Sequence, residues 1–199
     1  MKIVLIGATG DVGQAALAAL SPRHDIITVG RTSGDLACDI ADPVSVAAMY
    51  DHVGQVDAVV CTAGNVHFGP LAEFTHDQFM VGLKDKVMGQ INLVLAGRDY
   101  VADGGSFTLT SGILDQDPIR MGAGAATANG ALAGFVRGAA IEMPKGQRLN
   151  VVSPGLLDIS VPRYGEWFPG HIAVPSKAVG LAYVKCVEGP QTGQVITVH

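Results

Sequence analysis

The chain has 199 residues, 48% of them hydrophobic and 16% charged, with a formal net charge of -5. That length allows one sizeable core and leaves little for a second independent domain, while the absence of any lysine or arginine run argues against nucleic acid as a partner. Cys38, Cys61 and Cys186 are odd in number and widely spaced, a pattern that fits neither a disulfide framework nor a metal site and suits a reducing cytoplasm.

At the N-terminus, Lys2 leads into Ile3, Val4, Leu5 and Ile6. This apolar run stops at Gly7, too short for a membrane span or a signal peptide, and reads as a buried strand over 2–6. A helix is predicted over 12–20, followed by strands near 26–30, 57–61, 106–110, 148–152 and 194–198, with helices near 43–53, 76–99, 121–142 and 174–187. Asp42-Pro43 caps the second helix, and Thr75 with Gln78 forms a capping-box pattern at the third. Short β-branched runs alternating with Ala-rich stretches imply βαβ units. The expected architecture is an α/β, three-layer doubly wound Rossmann fold with a mostly parallel sheet, forming a single domain over 1–199. Between Arg31 and Asp39 too few residues remain for a crossover helix, so the fold is shortened after the second strand.

Gly7-Ala8-Thr9-Gly10-Asp11-Val12-Gly13 joins the first strand to the first helix. Glycines in that position permit a tight turn and close approach of a pyrophosphate to the helix N-terminus. Gly7, Thr9, Gly10, Asp11, Val12 and Gly13 are therefore candidate contacts to a dinucleotide. At the end of the second strand, Gly30-Arg31-Thr32-Ser33 lacks the Asp or Glu that would bond a free ribose 2′-hydroxyl. Arg31, with the hydroxyls of Thr32 and Ser33, instead suits a 2′-phosphate and points to NADP(H).

With these residues placed, the chain resembles the short-chain dehydrogenase/reductase family from Lys2 to its last strand. Asp39-Ile40 resembles the family's adenine-contacting pair, and Thr62-Ala63-Gly64 its Asn-Ala-Gly. Ser111 stands at the family's catalytic serine, Pro154-Gly155 at its Pro-Gly beside the nicotinamide, and Thr192-Gly193-Gln194-Val195 at its final strand. Two stations depart from the pattern. Aligned on Gly130-Ala131-Leu132-Ala133-Gly134-Phe135, the family's Tyr-x-x-x-Lys becomes Ala125 and Asn129, and Lys86-Val87-Met88-Gly89 replaces its Asn-x-x-Gly. Lysine and asparagine have thus exchanged places. The resemblance implies a catalytic group of Ser111, Lys86 and Asn129, with Lys86 supplying positive charge and Asn129 bonding the nicotinamide ribose. Lys86, His67 and Tyr164 are the candidate proton donors.

Residues 156–173, with Tyr164, Trp167, Phe168 and His171, stand where the family builds a substrate lid. The helix near 121–142 is crowded with small residues, and family members often pair through it, which implies a homodimer or homotetramer. The expected function is an NADP(H)-dependent oxidoreductase acting on a small carbonyl or alcohol, with no metal and no membrane partner. The alternative is a non-catalytic NADP(H)-binding sensor or regulatory protein, since the Tyr-x-x-x-Lys pair is missing.

Overall fold

Residues 1–199 are described by a computed structural model. Its strands are β1 (Lys2–Ile6), β2 (Asp25–Gly30), β3 (Leu36–Ala37), β4 (Val56–Cys61), β5 (Val101–Thr110), β6 (Arg148–Pro154) and β7 (Val195–Val198). They pair in parallel in the order β3-β2-β1-β4-β5-β6-β7. The helices are α1 (Asp11–Leu20), α2 (Pro43–Val53), α3 (His76–Val81), α4 (Gly89–Gly97), α5 (Ala123–Ala139), α6 (Val161–Tyr164) and α7 (Ser176–Glu188).

Strand alternation sorts the core into two layers. Ile3 and Leu5 of β1 pack with Leu20 of α1 and Tyr183 of α7 on one face, while Val4 and Ile6 join Tyr50 of α2, Leu93 of α4 and Leu132 of α5 on the other. Order along the sheet reverses between β1 and β4, so their carboxyl ends open a crevice where doubly wound folds bind ligands.

The expected crossover helix after β2 is indeed absent. Residues 31–35 carry the chain directly into β3, a two-residue strand too short to register as a periodic run. Thr28 N–H and Oγ1 both donate to Asp35 Oδ2 at 2.8 Å and close this turn. β5 starts at Val101, five residues before its expected position, because a register shift and Gly104 at φ 73° interrupt its pattern. The helix expected over 76–99 begins with the capping box of Thr75 and Gln78 but is not uniform. Gly82–Met88 forms a π-helical stretch between α3 and α4, a distortion frequent at functional sites, and the helical run ends at Gly97. The helix expected over 121–142 is α-helical only from Ala123 to Ala139.

Helices α1 and α7 touch through Gly180, where a Cβ would lie 2.5 Å from the Ala15 carbonyl oxygen. Gly180→Val is expected to force them apart and lower the unfolding free energy by about 1–3 kcal/mol. Chemical denaturation measures this, and an unchanged midpoint would show that the helices separate freely.

Candidate active site

The glycine loop lies at the crevice. Gly7 adopts φ 85°, and a Cβ there would meet Ala63 N and Thr62 Oγ1 at 2.9 Å. A Cβ on Gly13 would fall 2.0 Å from the Gly7 carbonyl oxygen, so only glycine lets α1 start this close to the turn. Thr62 Oγ1 donates to the carbonyls of Ile6 and Gly7 at 2.9 and 3.0 Å, fastening the end of β4 to the loop. The first N–H groups of α1 have no intrahelical acceptor. Together with a cavity of about 390 Å³ lined by Gly7, Thr9, Gly10, Arg31, Thr32, Ser33, Ile40 and Thr62-Ala63-Gly64, they fit the adenosine and pyrophosphate of a dinucleotide. The Asp11 carboxylate faces away from this cradle. It accepts from Ser160 Oγ at 2.5 Å and from Arg163, and these bonds hold its carboxyl below the usual range.

At the far end of the same cavity, Arg31 is already paired. Its guanidinium donates to Asp85 Oδ2 at 2.9 Å and lies 3.5 Å from Asp39 Oδ2. Asp85 also accepts from the backbone N–H and the side-chain amide of Asn65 at 2.8 and 3.1 Å. Neither Asp85 nor Asn65 stood out in the sequence, because the π-helical stretch brings Asp85 to Arg31 across 54 positions.

A second cavity, about 270 Å³, opens from Thr62-Ala63-Gly64 toward β5 and α5. Ser111, Lys86, Asn129, Val12, Pro154 and Gly155 all line it, and Lys86 is its one charged residue. The Lys86 ammonium donates to the Ser111 carbonyl at 2.8 Å and to Asn129 Oδ1 at 2.7 Å. Gly64 lies flush on its stem, with space for no Cβ. Asp115 acts on Lys86 only through space, and burial pushes the ammonium down from 10.5 to about 8. The end of β5 is fixed from below. Gln90 donates to the Thr110 carbonyl and accepts its N–H at 2.9 and 2.8 Å, while Thr110 Oγ1 lies 2.6 Å from the Tyr183 hydroxyl. Ser111 Oγ sits 3.5 Å from the Val152 carbonyl, the outer limit of a hydrogen bond, and is free to turn toward a ligand.

The family model described as enoyl-(acyl carrier protein) reductase matches residues 11–166. This chain is a short-chain dehydrogenase/reductase. It is 30% identical over 153 residues to versicolorin reductase 1 of Dothistroma septosporum, a match covering 73% of this chain and 58% of that relative's length. Among solved structures, the protein lin1944 from Listeria innocua is 47% identical, with a TM-score of 0.98 over the full length of both chains. A small-chain dehydrogenase in complex with NADPH is 26% identical, with a TM-score of 0.86 over 100% of this chain and 96% of that one.

Within this short-chain dehydrogenase/reductase, Ala125 and Asn129, one helical turn apart on α5, are both buried and both line the Ser111 cavity. The other two candidate proton donors lie elsewhere. The His67 ring packs edge-on against Phe74 with centroids 5.2 Å apart, and Tyr164 and Trp167 border an adjoining cavity of about 360 Å³, which shares Phe68, Gly155, Leu157 and Phe168 with the Ser111 cavity. The Trp167 ring meets Phe68 edge-on at 5.8 Å. Val66 and Phe68, in the loop after Gly64, are wall residues that no sequence pattern marked.

Because the Lys86 pKa is depressed on folding, native protein releases that proton near pH 8 while the unfolded chain holds it to about 10.5. Stability due to this group therefore rises with pH through that window, and below it the buried ammonium costs roughly 3 kcal/mol. The stability of Lys86→Met relative to wild type is expected to fall by roughly that amount between pH 7 and pH 10.5. Denaturant titrations at both pH values test this, and a pH-independent difference would contradict a buried, destabilised charge.

Proposed function

We propose that this chain is an NADP(H)-dependent reductase of small carbonyl compounds, or the reverse dehydrogenase, in which Ser111, Lys86 and Asn129 replace the usual catalytic group. The observation that carries the reading is the Lys86 ammonium, buried between Ser111 and Asn129 in the cavity that continues from the dinucleotide cradle. Bound NADPH supplies the hydride. The Gly7–Gly13 loop and the α1 N-terminus would hold the pyrophosphate, Arg31 with Thr32 and Ser33 the 2′-phosphate, Asp39 and Ile40 the adenine, and Pro154-Gly155 the nicotinamide side. Ser111 Oγ donates a hydrogen bond to the substrate oxygen and stabilises its developing charge. Lys86, protonated at neutral pH and tuned toward it by burial, delivers the proton. Asn129 orients the ammonium through Oδ1.

The segment 156–173 serves as the substrate lid. Ser160 and Arg163 tie it to Asp11 at the start of α1, and its aromatic residues extend the cavity for an apolar carbonyl compound. We further propose assembly as a homodimer or homotetramer through α5, a reading supported by Gly134 and Gly138, which face open space and would let a second helix approach closely.

NADPH oxidation with a panel of aldehydes, ketones and quinones tests the function. Lys86→Ala and Ser111→Ala are each expected to lower kcat by about 10²–10⁴, and the wild-type reduction rate is expected to fall as pH rises through about 8. Tight NADPH binding without turnover of any substrate would establish instead a non-catalytic NADP(H)-binding protein. Turnover unaffected by both substitutions would remove Ser111 and Lys86 from the chemistry.

A further inference from the structure

The 2′ end of the dinucleotide cavity is lined by one cation, Arg31, and one anion, Asp85, with Asp39 behind Arg31. Arg31 is half exposed and carried by a flexible stem, whereas Asp85 has a side-chain exposure of only 18% and is anchored by two bonds from Asn65. Asp39 is likewise pinned, since its Oδ1 accepts the Ala41 N–H at 3.0 Å. The positive charge that β2 presents is therefore cancelled before any ligand arrives, and Asp85 lines the same cavity as Arg31, Thr32 and Ser33. A 2′-phosphate brings a charge of roughly -1.5 to -2. Arg31 gives Asp85 one Nη2 N–H, so a phosphate must share the guanidinium with a carboxylate that Asn65 holds in place beside it.

We propose that Asp85 is the residue that sets cofactor preference in this protein, opposing Arg31 and holding down affinity for a 2′-phosphorylated dinucleotide while leaving an unphosphorylated one unaffected. The proposal rests on the reading that Arg31 contacts the 2′-phosphate. An unphosphorylated ribose adds no charge beside Asp85, so the carboxylate discriminates between the two cofactors by repulsion toward one of them.

The test is fluorescence titration of the full chain with NADPH and with NADH. Asp85→Asn preserves an acceptor for the Asn65 N–H and removes the charge. It is expected to tighten NADPH binding about tenfold at low salt and to change NADH binding by less than about twofold, with the gain shrinking as ionic strength rises. Asp85→Ser, together with thermal melts of both variants, guards against a folding defect. An unchanged ratio of NADPH to NADH affinity in two folded Asp85 variants, with Arg31→Ala still weakening NADPH, would overturn the role of Asp85 alone. If Arg31→Ala leaves NADPH affinity intact, the phosphate contact fails and this proposal falls with it.

Discussion

A partly buried ammonium group whose hydrogen-bond partners are all neutral oxygens is the constraint on which the centre of this molecule depends. Lys86 gives hydrogen bonds to the Ser111 carbonyl and to Asn129, and its charge has no carboxylate in direct contact. Such a group is tolerated only where surrounding elements fix its neighbours firmly. Here the supports are visible. Gln90 grips the end of β5 through both hydrogen-bonding atoms of its amide, Tyr183 meets Thr110 from the opposite layer, and the Gly64 backbone covers the lysine stem. Helix α4 and helix α7 thus hold the end of β5 from two sides, and the loop after β4 covers the lysine itself.

That arrangement explains the π-helical stretch at Gly82–Met88. A regular helix places successive residues at fixed angular steps, whereas a widened turn shifts the side chains that follow it relative to those before. Lys86 faces Asn129 while its neighbour Asp85 faces Arg31, so two adjacent residues serve the two ends of a continuous cleft. Thr62-Ala63-Gly64, common to both cavities, lies between those ends.

Most strands and helices were legible because they rest on local signals, namely apolar β-branched runs, a capping box at Thr75 and a proline behind Asp42. The gathering of Ser111, Lys86, Asn129 and Pro154-Gly155 around one cavity was legible from their order along the chain. What escaped has common physical causes. β3 is two residues long, and β5 is disguised by a bulge at Gly104. Asp85 and Asn65 acquire meaning only through contacts made after folding, and Asp11, read as part of the cradle, directs its carboxylate to Ser160 and Arg163. A short sequence motif records what its own backbone can do. It does not record which distant side chain arrives to answer it.

The missing helix after β2 carries that point further. In a fuller Rossmann domain the segment following the second strand is long enough to build its own wall beside the adenosine. Here five residues, 31–35, turn straight into β3, and Asp85, on the stretch that also carries Lys86, joins Arg31, Thr32 and Ser33 in the wall. The partner of residue 31 thus comes from 54 positions away, and the residue that supplies it sits next to the lysine of the other cavity. A substitution at either end of this pair is felt at the other.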